Sequence, residues 1–62
     1  MKYTVSMRTP MFFPLGTFIS LEKATEKAIK NAICTRIVEI VCTDDNDEVT
    51  DIMTFENKKR VG

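Results

Sequence analysis

The feature that most limits what this chain can fold into is that only one stretch, Leu21 to Ile33, carries helical spacing, and the middle of its apolar face is alanine. At about 100° per residue, Leu21, Ala24, Thr25, Ala28, Ile29, Ala32 and Ile33 share one broad face. Lys23, Glu26, Lys27 and Lys30 fall opposite, with Glu26 and Lys30 spaced as a favourable i,i+4 pair. Ser20 is suited to cap the helix, because its hydroxyl can accept from an early orphan amide, and Glu22 complements the positive helix end. Small residues at Ala24, Ala28 and Ala32 let a helix axis come close to a sheet, with Leu21, Ile29 and Ile33 gripping at its flanks.

The remaining patterned segments read as strands. From Lys2 to Arg8 the chain alternates: Tyr3, Val5 and Met7 point one way, Lys2, Thr4, Ser6 and Arg8 the other. Thr9-Pro10 ends this strand, since proline removes a ladder donor. Pro14-Leu15-Gly16 reads as a turn, and Thr17-Phe18-Ile19 as a short second strand returning beside the first. Arg36 to Thr43 is β-branched and apolar on both faces, which suits a central strand. The polar run Asp44-Asp45-Asn46-Asp47 joins it in a hairpin to a strand over Glu48 to Phe55, with Val49, Met53 and Phe55 on one side and Ile52 on the other. Lys58 to Gly62 should fray. The expected fold is α+β: one helix on a three- to four-stranded antiparallel sheet, in β-(β)-α-β-β order, with residues 1–62 forming a single small domain.

A domain of 62 residues buries only about 60% of the surface its unfolded chain exposes, so its stability is marginal and needs support. Disulfides, a metal or oligomerisation are the usual sources. Cys34 and Cys42 lie eight positions apart; on or beside one extended strand that is about 26 Å, beyond bridging reach. No secretory signal precedes them; reduced thiols in a cytoplasmic protein, packed as small buried hydrophobes, are expected. Two cysteines and no histidine make no zinc pattern. No apolar run is long enough to span a membrane. Oligomerisation remains.

The sequence holds no set of groups suited to catalysis. Histidine is absent, and Cys34, near a helix C-terminus, would sit in a potential that opposes the thiolate. With only Gly16 and Gly62, there is no phosphate-cradling glycine loop. Seven acids and no base lie between Glu39 and Glu56, followed by the basic run Lys58-Lys59-Arg60. A calcium loop starting at Asp44 would place Val49 where glycine is required and Phe55 where glutamate is required. Zero net charge, and Glu26 among the helix lysines, argue against nucleic acid as the main partner.

These readings converge on a small non-catalytic accessory or regulatory protein, without cofactors, that acts by binding another protein and pairs with itself as a homodimer. An inhibitor of bacterial or phage origin would fit. The alternative is a nucleic-acid-associated factor or an acidic mimic of nucleic acid. If the helix covers the face bearing Val38, Ile40 and Cys42, then Ile37, Val41 and Ile52 are left outside, and with Phe12 and Phe13 they form the candidate interface. Two points stay open at this level: which sheet face the helix covers, and whether the Met11–Leu15 loop or a second chain covers the other.

Overall fold

The structure, a computed structural model, describes all of residues 1–62. Ser20 adopts an extended conformation and its hydroxyl accepts from the Lys23 amide at 3.4 Å, which starts helix α1 (Leu21–Asn31). Helix α1 stops two residues before the expected Ile33. Ala32 leaves helical geometry while its own amide still reaches the Ala28 carbonyl, and the Asn31 side chain donates back to the Lys27 carbonyl at 2.9 Å. Cys34 then takes a left-handed conformation (φ 56°) inside the turn that the Arg36 amide closes on the Ile33 carbonyl at 3.0 Å. Glu26 and Lys30 are not among the ion pairs, which join Met1 to Asp45, Lys2 to Asp47 and Arg8 to Glu39.

Around the helix lie β1 (Lys2–Thr9), β2 (Phe13–Phe18), β3 (Ile37–Thr43), β4 (Val49–Glu56) and β5 (Lys59–Arg60). They form one sheet in the order β2-β1-β3-β4-β5, with every neighbouring pair antiparallel. Because β2 and β3 both run against β1, they are parallel to each other, and α1 is the crossover between them. That connection lays the helix over the middle of the sheet, chiefly on β1 and β3.

The core is the layer between helix and sheet. Val5, Ala24, Ala28, Ala32, Val38 and Ile40 are fully buried, joined by Cys42, Met53 and Phe55. Tyr3, Leu15, Phe18 and Ile29 pack at its margin. The face carrying Val38, Ile40 and Cys42 is therefore the one the helix covers. Alternation in β3 is unbroken on this point, since buried and half-buried residues follow one another from Ile37 to Thr43.

Four features differ from the sequence reading. The sheet has five strands rather than three or four, because the C-terminal residues do not fray. Asn57 and Lys58 both adopt positive φ (52° and 62°), the geometry of a two-residue hairpin turn, and fold Lys59–Arg60 back onto Phe55–Glu56. The Lys58 amide then donates to the Ala32 carbonyl at 2.8 Å, tying the turn to the end of the helix. Second, β2 begins at Phe13 and runs through the expected turn. Gly16 makes this possible with φ +141°, and the Phe18 ring lies 3.4 Å from where a Cβ on Gly16 would stand. Third, the β3–β4 register shifts between Cys42 and Thr43, so Val49 pairs with Thr43 and turns away from the core; it is 58% exposed. Fourth, only Cys42 is buried; Cys34 lies exposed beyond the helix end.

The two thiols should therefore react very differently. Burial, and secondarily the nearby Asp51 carboxylate, push the Cys42 thiol above its ordinary value of 9.0, with Arg60 opposing. Iodoacetamide should label Cys34 at once and Cys42 only as the domain opens, read by mass spectrometry against time. Equal labelling rates for both would mean that Cys42 is not held in the core. Since the folded thiol stays protonated where the unfolded one ionises, this group's contribution is intact below pH of about 9 and declines as pH rises further.

Candidate functional interface: the open face of the sheet

One helix covers one face of the sheet, and the other face has no layer over it. Strand pairing fixes which residues share that open face. Thr17, Thr4, Val41 and Ile52 form one row across β2, β1, β3 and β4; Pro14, Ser6, Glu39 and Thr54 form the next. Ile37 lies beyond the second row and Val49, opposite Thr43, beyond the first. The surface is thus β-branched and hydroxyl-bearing, with aliphatic groups at Ile37, Val41, Val49 and Ile52. Ile37 and Val41 are half-buried, while Ile52 is 48% exposed.

A single carboxylate stands in the middle of this face. Glu39 is paired within the chain: Arg8 approaches its Oε1 at 3.5 Å. The Arg8 guanidinium also lies 5.7 Å from the centre of the Phe12 ring, so the cation is held between a carboxylate and an aromatic face. Arg8 occupies the position where the β1–β3 register shifts, between Met7 and Thr9. This arrangement brings Phe12 beside the open face, at its Ile37 end.

Of the five candidate interface residues, Val41 and Ile52 are therefore neighbours, Ile37 lies on the same face beyond the Glu39 row, and Phe12 stands beside that end through Arg8. Phe13 is not on this face: it pairs with Met7, whose neighbour across β3 is the buried Val38, which places Phe13 on the helix side. Nor does the Met11–Leu15 segment close over the open face. Phe12 and Phe13 remain 61% and 54% exposed, and of this segment Leu15 packs on the helix-side core. The sequence reading missed the Arg8–Glu39 pair. Its signal was available in the alternation of the two strands, which puts both residues on the same side of the sheet, but their adjacency depends on the pairing register.

Both long edges of the sheet are guarded. On β2, Pro14 lacks an amide and Leu15 sits at a register break opposite Val5 and Ser6, which spoils a template for strand addition. On β4, the Thr54 amide donates to the Gly62 carbonyl at 3.2 Å, and the Thr54 carbonyl accepts from Val61 at 2.8 Å. One step further along, the Asp51 carboxylate accepts from the Ile52 amide at 2.9 Å.

The other groups singled out by sequence are placed as follows. Asp44 Oδ1 accepts from the Asn46 and Glu48 amides at 2.8 and 3.0 Å, Asp47 pairs with Lys2 at 3.0 Å, and Asp45 with the N-terminal amine at 3.2 Å. These acids fold the hairpin and hold the start of β1. Replacing Asp44, Asp45 and Asp47 together with asparagine should keep the fold, because in Asp44→Asn the side-chain carbonyl accepts the same two bonds. Millimolar calcium should leave the wild-type melting temperature where it is; a rise of several degrees would show a cation site. On the opposite side of the molecule, Lys23, Lys27 and Lys30 surround a shallow depression with Glu26 and Phe18, and none of the three lysines is ion-paired. No helix is long and apolar enough to cross a membrane. No protein-family model, curated protein or solved structure matches the chain.

Proposed function

We propose that this chain is a non-catalytic accessory or regulatory protein that acts by binding another protein through the open face of its sheet. The observation that carries the reading is the composition of that face: aliphatic groups around Val41 and Ile52, a central carboxylate, Glu39, already paired with Arg8, and the exposed Glu56 only at its end, beside Ile37. The centre of such a surface can be dried without stranding a charge, which is the main obstacle to burying polar protein surface. The guarded edges support face-on docking over strand addition. The titratable groups support the same reading, since the acids of the hairpin are used to hold its turn and the N-terminus.

The test compares three immobilised proteins in lysate treated with nuclease: wild type, Val41→Glu on the open face, and Ile19→Glu in the exposed turn before the helix. A protein retained by wild type and Ile19→Glu but lost from a folded Val41→Glu is the expected result. Retention that ignores Val41 would refute the face as the binding surface.

A second reading, association with nucleic acid, draws on the depression lined by Lys23, Lys27, Lys30 and Phe18, where cationic heads stand beside an aromatic ring. It predicts that a labelled single-stranded oligonucleotide binds in a salt-dependent way and is released by Lys27→Glu. Binding that is absent at low salt would remove it.

A further inference from the structure

We infer that the end of the sheet bearing the β1–β2 connection docks on an anionic lipid surface. Met11, Phe12 and Phe13 enter the headgroup layer there, and the cations around them meet the acidic headgroups. The contact is made by one end of the strands, not by the open face.

Strand pairing sets what gathers at that end. Thr9, Ile37 and Glu56 form the last row of the sheet. Past it lie the β1–β2 connection, Arg36 and the Asn57-Lys58 turn. The C-terminal end of the helix lies there too, because the Lys58 amide reaches the Ala32 carbonyl. Met11, Phe12 and Phe13 are consecutive, and each is more than half exposed. Phe12 turns toward Arg8 on the open-face side and Phe13 toward the helix side, so apolar groups project from both sides of the connection. This end is a protrusion: the one depression in the surface lies along the helix, among Lys23, Lys27 and Lys30. A small ligand or a helical peptide needs a concave seat, whereas a fluid headgroup layer yields to a protruding apolar turn.

Charge selects the kind of lipid. The formal net charge is zero, but the charges are divided between the two ends of the strands. Asp44, Asp45, Asp47 and Glu48 stand in the β3–β4 hairpin, and Glu22 stands at the start of the helix on the same end. Of the cations there, the N-terminal amine and Lys2 are taken up by Asp45 and Asp47, which leaves Lys23 of the first helical turn. At the apolar end Lys30, Arg36, Lys58 and Lys59 join no ion pair. Against these four stand Glu56, unpaired in the last row, and Glu26, one turn back along the helix. Such a distribution turns the basic end toward a negative plane and the acidic end away from it. Each cation close to an anionic leaflet adds roughly fivefold in affinity. Apolar insertion together with several cations supplies the two signals that lasting attachment to a bilayer requires.

Co-sedimentation with sucrose-loaded vesicles tests this, comparing phosphatidylcholine alone with phosphatidylcholine containing phosphatidylserine. The chain should bind the anionic vesicles at low salt, lose them as salt is raised, and ignore the neutral ones. Phe12→Ser combined with Phe13→Ser should weaken binding by at least ~10-fold. Arg36→Glu combined with Lys59→Glu should do the same. All four side chains are exposed, and far-ultraviolet circular dichroism checks that each variant keeps the fold. Ile19→Ser, an equally exposed apolar change at the acidic end, should bind as wild type does. Val41→Glu, which disables the open face, should still bind, so failure here and failure of the open-face reading are told apart. The chain has no tryptophan, so Phe13→Trp supplies a single fluorophore. Its emission should shift to the blue on anionic vesicles and be quenched by brominated acyl chains. Absence of binding to anionic vesicles at low salt overturns the inference, as does binding indifferent to Phe12 and Phe13. A single-stranded oligonucleotide held through these residues in preference to the vesicles would overturn it as well, and assign this end to nucleic acid.

Discussion

Ile40→Ala is expected to remove about half or more of the domain's stability at 25 °C. Ile40 is fully buried at the middle of β3, paired with Val5 on one side and Met53 on the other. It is among the largest side chains in the core, whose helix side is built from alanines too small to move in and fill a gap. Truncating a buried isoleucine costs about 2–5 kcal/mol, the upper part of that range applying where the surroundings cannot collapse. A domain of this length has a total stability of about 3–9 kcal/mol at ordinary values per residue. One substitution can therefore consume most of it. Denaturant titration followed by circular dichroism measures the loss directly, with Ile19→Ala as the matched control: Ile19 is 88% exposed and should change stability by no more than about 0.5 kcal/mol. A midpoint for Ile40→Ala close to that of wild type would mean that β3 is not the centre of the core.

The same smallness of the core explains which parts of the fold were legible in the sequence. The helix start, β1, β3 and the acidic hairpin rest on local signals: a capping serine, strict alternation, and an aspartate that satisfies two amides of its own turn. Those signals act within a few residues, so they can be read without knowing the tertiary structure. The parts that were not legible depend on distant partners. Asn57-Lys58 makes a tight hairpin although lysine is a poor left-handed residue, and the turn is secured by a bond from the Lys58 amide to the Ala32 carbonyl. Nothing near Lys58 in sequence announces that bond. Val49 looks like a core residue by alternation from Met53 and Phe55, but the register shift beside Thr43 reverses it and adds an aliphatic group to the open face. For the candidate interface, Ile37, Val41 and Ile52 followed from alternation alone. Phe12 and Phe13 needed the path of the chain after the Thr9–Pro10 turn, and only Phe12 reached the face, drawn there by Arg8.

Ala28→Leu should destabilise the domain by about 1–3 kcal/mol, an effect opposite to what added apolar bulk would bring at a loosely packed site. Ala24, Ala28 and Ala32 are all fully buried and stand one helical turn apart, so the helix rests on the sheet along a line of methyl groups, with Ile29 half-buried at its flank. Three more carbons at the middle of that line must either lift the helix off β1 and β3 or push Val5, Val38 and Ile40 out of their preferred rotamers. Lifting the helix would also strain its tie to the β4–β5 turn through Ala32 and Lys58. Making the residue smaller does not help, because Ala28→Gly loses about 1 kcal/mol of helix propensity while opening a gap. Alanine is thus an optimum from both sides, which a series of Gly, Ala, Val and Leu at position 28 would show as a single maximum in melting temperature. The decisive arm is the double variant Ala28→Leu with Ile40→Ala. Both positions lie in the same buried cluster, so volume added at one can occupy volume removed at the other, and the combined loss should fall short of the two single losses added together by about 0.5–3 kcal/mol. Strict additivity would mean that the two side chains do not share space, and that the helix crosses the sheet along a different line.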